Sequence, residues 1–296
     1  APGRKYVAGS SGAVYPEDYN EAGGMWEHLS RHGVSFFNFG QGFEFSGADE
    51  QQWHKYTGIK MGVMFPMPKP LYDRTSRKYA TYNTSVPDQF RIDMFEEELE
   101  EKWLSGKEEF PTIITMIIPN DHGSSERVED GYPFRESYMA DNDLALGRVI
   151  EKLSHSSWWP EMLIIVTEDD AQDGRDHIDA HRSLLMMISP WIKRGYVSHS
   201  HSNFGAILKT IYNICDIPAL NQFDATATLL QDFFTVKPDL TPYEPVMVDN
   251  RIFDPRKALD PYDRDFRWES LGESPEIDNE DDFRSSHQEQ TLIEIK

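Results

Sequence analysis

Three short apolar runs constrain this chain more than any other feature: residues 112–118 (TIITMII), 162–167 (MLIIVT) and 184–189 (LLMMIS). Each has the length of a strand rather than a helix, and Pro119 closes the first. A run that is apolar on both of its faces predicts a strand covered on both sides, the usual state of a parallel sheet. Between the first two runs, residues 141–153 carry Leu144, Leu146, Val149, Ile150 and Leu153 at helical spacing. Residues 22–32, with Trp26 and Leu29, predict a short helix that leads into a strand over 34–39. Further helices are predicted over 92–104, 204–214 and 225–234. The glutamates of the first of these (Glu96, Glu97, Glu98, Glu100 and Glu101) read as its solvated face. Strand–helix–strand alternation implies an α/β fold, a mainly parallel sheet sandwiched between helices. Residues 61–90, punctuated by Pro66, Pro68, Pro70 and Pro87, read as an irregular loop or lid.

With 296 residues the chain can build one large domain or two small ones. We expect one domain over residues 1–250 and an acidic extended tail over 251–296, where Phe266, Trp268 and Leu271 can anchor an arm. Residues 29 Lys+Arg against 51 Asp+Glu give a net charge of −22. That balance argues against nucleic-acid binding, which needs a basic face, and against docking on anionic membranes. No apolar run approaches the ~20 residues that span a bilayer. The single cysteine, Cys215, excludes an intrachain disulfide and reads as a packed thiol. Oligomeric state leaves no mark in the sequence.

Ligands of parallel sheets gather at the carboxyl ends of the strands. The first apolar run is followed by Pro119-Asn120-Asp121-His122-Gly123, the second by Glu168-Asp169-Asp170. Asp176-His177 and Asp179-Ala180-His181-Arg182 then lead into the third run. Adjacent carboxylates at a half-buried strand end are costly unless a cation or a proton relieves them. Carboxylates with histidine form an oxygen/nitrogen shell that suits Zn²⁺, Mn²⁺ or a similar ion, which can stabilise phosphoryl charge. The same residues also fit an acid-rich turn in which Asp169 or Asp170 caps a helix.

The stretches Ala140-Asp141-Asn142-Asp143-Leu144, Val166-Thr167-Glu168-Asp169-Asp170-Ala171-Gln172-Asp173-Gly174-Arg175-Asp176-His177-Ile178-Asp179-Ala180-His181-Arg182 and Ile188-Ser189-Pro190-Trp191-Ile192-Lys193-Arg194-Gly195 resemble a bacterial phosphoesterase family of the alkaline phosphatase-like superfamily, related to bacterial acid phosphatases and phospholipases C. The resemblance covers about residues 10–235. It implies an alkaline phosphatase-like α/β/α fold and a metal-dependent hydrolase acting on a small phosphoester substrate. It places Asp121 and Asp169 as aspartate ligands and His181 as the late histidine ligand of a divalent metal ion, zinc, manganese or calcium. Asp170 stands where many two-zinc relatives carry histidine, a departure shared with the acid phosphatase branch. The resemblance implies His122 or His177 as the group that protonates the leaving oxygen. Asn120 and Asp176 fall in neighbouring motifs without an assigned role, and His199 is an equal match for a surface histidine.

The superfamily's Ser/Thr nucleophile has no counterpart here, because neither Ser10-Ser11-Gly12 nor Thr57-Gly58 follows an apolar strand. We therefore expect the C-terminal portion of a larger periplasmic or secreted enzyme, with the nucleophile upstream and this portion inactive alone. Two other classes fit the residues: a non-catalytic module that keeps the fold as a scaffold, and a sulfate-ester or related reaction.

Overall fold

The computed structural model describes residues 23–41, 69–76, 78–80, 86–169 and 182–259, Tyr82 and Thr84, and the backbone of 45–46 and 62–63. These residues fall into two compact units, divided between Ala145 and Leu146 and again between Val246 and Met247.

The first unit begins with α1 (Met25–Arg31), whose entry is fixed by the Glu27 carboxylate accepting the Gly24 N–H at 2.8 Å. Strand β1 (Phe36–Phe39) follows as predicted. A short antiparallel pair joins β2 (Phe45–Ser46) and β3 (Gly62–Val63), and α2 spans Lys69–Tyr72. Helix α3 (Asp88–Leu99) continues through a π-helical turn, Glu100–Leu104. Strand β4 (Ile113–Met116) pairs in parallel with β1, Phe36 facing Ile113 and Phe39 facing Met116. Phe39 is wholly buried and meets the edges or faces of Phe37, Tyr79, Phe95 and Trp103, so aromatic packing fills the layer between this sheet and α3.

Helix α4 (Ser137–Ser154) begins a turn before its predicted start, and its residues to Ala145 belong to this unit. A second core gathers Tyr132, Tyr138 and Leu144 with Phe253 and Ala258. The last two flank and belong to α7 (Pro255–Leu259), so residues assigned from sequence to the start of the tail pack into this core. Residues from 260 onward lie outside the described residues.

The second unit holds β5 (Ile164–Thr167) and β6 (Leu185–Ile188), paired antiparallel with Ile164 opposite Ile188. Helix α5 occupies Phe204–Ile214 as predicted, with the Asn203 side chain accepting the Ala206 N–H at 3.0 Å. Helix α6 (Gln222–Thr226) lies earlier than the predicted 225–234, because Asn221 and Asp224 form a capping box that starts it there. Met187, Ile192, Ala206, Leu230 and Phe233 form the unit's core. Trp159 is buried beside Pro160, edge-on to Tyr243, with ring centres 6.0 Å apart.

Two expectations need correction. The fold is α/β, with β1 and β4 paired in parallel and Asn38 bridged in parallel to Thr75, but β5 and β6, also expected in a parallel sheet, pair antiparallel. A parallel connection needs a crossover of a dozen or more residues, usually a helix, and no apolar helical period lies between β5 and β6. The glutamate run is not uniformly solvated either. Glu98 is buried and accepts a hydrogen bond from Ser76, with Lys102 nearby, and burial pushes its carboxyl above the usual range.

Candidate active site

The chain leaving β4 is gripped at successive positions. Tyr79 donates its hydroxyl to the Ile117 carbonyl at 2.6 Å. Asn142 on α4 donates Nδ2 to the Ile118 carbonyl at 2.7 Å. Asp88, at the start of α3, accepts the Asn120 N–H at 3.0 Å and Asn142 Nδ2 at 3.1 Å on one carboxylate oxygen. Asn120 in turn donates its side-chain amide to the Val86 carbonyl at 3.1 Å and to Asp141 at 2.7 Å.

Asp141 sits at the centre of this network. It also accepts the Asp88 N–H (2.9 Å), the Gln89 N–H (3.2 Å) and side-chain amide (3.0 Å), and the Tyr132 hydroxyl (2.8 Å). Arg91 closes the other side. It is fully buried and donates to the carbonyls of Ala80 and Val86 and, at 2.9 Å, to Asp88. Asp88, Asn120 and Asp141 have no exposure to solvent.

Burial of two carboxylates against one guanidinium sets the electrostatics. Desolvation drives the Asp88 carboxyl up to about 7, with Arg91 pulling it down and Asp141 pushing it further up. Burial, with Asp141 adding to it, holds the Tyr132 phenol well above its usual range. One acceptor, Asn120 Oδ1, is buried with no hydrogen-bond partner among the described residues.

This framework fixes the short 3-10 turn Asn120–His122, which Gly123 ends in the left-handed region at φ +71°. The turn leaves Asp121 half-buried and His122 exposed, with the His122 ring edge-on to Tyr82 at 5.5 Å. In the second unit, Thr167 at the end of β5 donates to the Leu184 carbonyl at 2.9 Å, and Ser183 donates to the Glu168 carbonyl at 3.2 Å. These bonds hold the strand ends together, with Asp169 exposed just beyond. Asp121 and Asp169 therefore each follow the carboxyl end of a strand, as their place in the sequence predicts.

The model of the phosphoesterase family matches residues 16–218, more than half of the chain. This chain belongs to the phosphoesterase family. No curated protein matches it. Membership indicates a hydrolase acting on phosphate esters, and the match runs through both the 119–123 and the 167–182 segments. No helix among the described residues of the phosphoesterase is long and apolar enough to cross a membrane.

Of the phosphoesterase residues implied as metal ligands or proton donors, Asp121, His122 and Asp169 are described. Asp170, His177 and His181, with Asp176, lie outside the described residues. Among the described residues no three His, Cys, Asp or Glu side chains gather into a group that could hold a metal ion. Asp121 and Asp169 are each hard oxygen donors of a type that suits a divalent cation. His199 is exposed, on a loop organised by Asp232, which accepts hydroxyls from Tyr196 (3.1 Å) and Ser198 (2.6 Å).

The sequence reading missed Asp88, Gln89, Arg91 and Asp141 as determinants of this site. A signal was available at Asp141, which lies three residues after Tyr138 and three before Leu144, on the apolar stripe of α4. A carboxylate on such a stripe predicts a buried, fully partnered group.

Proposed function

We propose that this phosphoesterase is a metal-dependent hydrolase of the alkaline phosphatase-like superfamily, acting on a small phosphate ester. The observation that carries this reading is the family match, which includes both strand-end segments, 119–123 and 167–170. In it, Asp121, Asp169, Asp170 and His181 hold a divalent metal ion. When bound, such an ion neutralises charge developing on the phosphoryl group and lowers the pKa of an attacking oxygen. A serine or threonine upstream in the intact protein attacks phosphorus, and water releases the phosphoenzyme. His122, exposed on a turn that the buried network holds in place, supplies the proton to the leaving oxygen.

The test is hydrolysis of a chromogenic phosphomonoester and a phosphodiester, with and without added Zn²⁺, Mn²⁺ or Ca²⁺, by the intact protein and its Asp169→Ala variant. Asp169 is exposed, so the variant should fold normally and lose metal-dependent turnover. Full activity in the variant refutes the ligand assignment. Absence of turnover by the intact wild type on every phosphoester, with turnover of a sulfate ester, refutes the phosphoester reading. Equal turnover by residues 1–296 and the intact protein refutes the upstream nucleophile.

A further inference from the structure

The turn carrying Asp121 and His122 has a cation, Arg135, beside it. A Cβ placed on Gly123 would lie 3.4 Å from Arg135 Nε and 3.7 Å from its Cγ, so the Arg135 side chain lies directly over this glycine. Arg135 is exposed, and its side chain has no hydrogen-bond or ion-pair partner among the described residues. Its neighbours differ. Arg91 is fully buried against Asp88, Ala80 and Val86, and Arg127 stacks on Tyr132 and Tyr138. In a chain with 51 acidic residues against 29 basic ones, an arginine with no carboxylate partner among the described residues, next to the strand-end turn, stands out.

Gly123 makes the approach possible. At φ +71° the backbone turns sharply after His122, and the missing Cβ leaves the side of the turn open to the guanidinium stem. The turn itself cannot drift, because Asp88 and Asp141 hold Asn120 from both its backbone and its side chain. Arg135 thus lies against the glycine that ends a turn carrying one carboxylate and one imidazole. A guanidinium presents paired donors that match two oxygens of a tetrahedral oxyanion, which a carboxylate-rich site cannot bind unaided.

We propose that Arg135 is the anion-binding residue of this site, donating two hydrogen bonds to non-bridging oxygens of the substrate phosphoryl group held beside Asp121 and His122. The proposal rests on the phosphoester reading above and adds to it the group that recognises the phosphate. Its chemical class of ligand is a terminal or internal phosphate with two free oxygens, and inorganic phosphate as product.

The experiment compares the intact wild type with Arg135→Ala and Arg135→Lys, and with Lys107→Ala as a control for loss of one exposed positive charge. Two readouts are taken: titration with inorganic phosphate by calorimetry, and KM and kcat on a chromogenic phosphomonoester. Arg135→Ala should weaken phosphate binding and raise KM by about tenfold to a hundredfold, with Arg135→Lys between it and the wild type and Lys107→Ala unchanged. Unfolding midpoints should stay the same, since the Arg135 side chain bonds to nothing among the described residues. Unchanged phosphate binding and KM in Arg135→Ala overturns the proposal while leaving the hydrolase reading intact. Arg135-dependent phosphate binding without any hydrolysis upholds the anion site and overturns the hydrolase reading. No phosphate binding by the wild type overturns the proposal.

Discussion

Asp141 accepts the side-chain amide of Asn120 at 2.7 Å, and through it a helix start is tied to the residue that precedes Asp121. Five donors converge on that one buried carboxylate: two backbone N–H groups, two side-chain amides and a phenol. Asp141→Ala would remove the shared carboxylate from all five, leaving the Asn120 amide only the Val86 carbonyl and the Gln89 amide only the backbone carbonyl of residue 141. The expected loss of stability is about 3–5 kcal/mol, the range for removing one partner of a buried charged network. Tyr132→Phe removes a single donor and should cost about 1 kcal/mol. Urea unfolding checks both, and equal midpoints for Asp141→Ala and Tyr132→Phe would show that the network does not bear on stability.

Asp88 gives the protein a pH response of defined sign. Its carboxyl titrates near 7 in the folded state against an ordinary value of 3.8, with burial as the largest cause. Between these values the folded state holds a proton that the unfolded chain has released. Stability from this group is therefore fully present below about pH 3.8 and is lost as pH rises through about 7. The slope is at most on the order of 1.4 kcal/mol per pH unit. Asp88→Asn removes the titration, so the stability gap between wild type and variant should change steadily between pH 4.5 and 7.5. Parallel curves would show that Asp88 keeps one protonation state throughout.

Gly131 is a steric hinge point for the return of the chain after residue 247. It adopts φ +86°, and a Cβ there would lie 2.4 Å from the Asp254 carbonyl oxygen. Gly131 also accepts the Asp254 N–H at 3.0 Å. Gly131→Ala must push α7 away or strain the turn, at about 2–4 kcal/mol. Faster limited proteolysis between residues 249 and 259, with a lowered Tm, is the expected result; unchanged cleavage would mean the turn relaxes without moving α7.

The proposed ligand role of Asp121 makes a prediction about metal content and turnover. Asp121 is half-buried at the tip of a turn whose position depends on its neighbours. Asp121→Ala removes the carboxylate proposed as a metal ligand. Metal content by elemental analysis and metal-dependent turnover should both fall. Retained metal with lost turnover would move Asp121 from ligand to another role.

Much of the framework was legible in the residues themselves. The strands β1, β4, β5 and β6 and helices α1 and α5 follow apolar runs and periods that have few other uses. Strand direction was not legible for β5 and β6, because the pairing sense depends on the path of the connection and not on the strands' composition. Helix α6 was misplaced because the Asn221–Asp224 capping box starts it ahead of the residues over which the helix was predicted. The candidate site residues Asp121, His122 and Asp169 stand out in the sequence because polar residues interrupt apolar runs there. The buried network around Asn120 was illegible. Asp88, Gln89 and Arg91 are polar residues at a helix start, which normally face water, and only their three-dimensional convergence with Asp141 reveals them as interior.

Helix α4 lives under two sets of substitution rules. Ser137, Tyr138, Asp141 and Asn142 each hold a distant backbone or side chain by a directional bond. Ala145, Val149 and Leu153, further along, are buried apolar groups that bond to nothing. In a saturation scan the early positions should reject even isosteric replacements, while the later ones should accept exchange among aliphatic residues. The boundary between intolerance and tolerance, found a few residues along one helix, would mark where the chain's sequence answers to chemistry and where it answers only to volume.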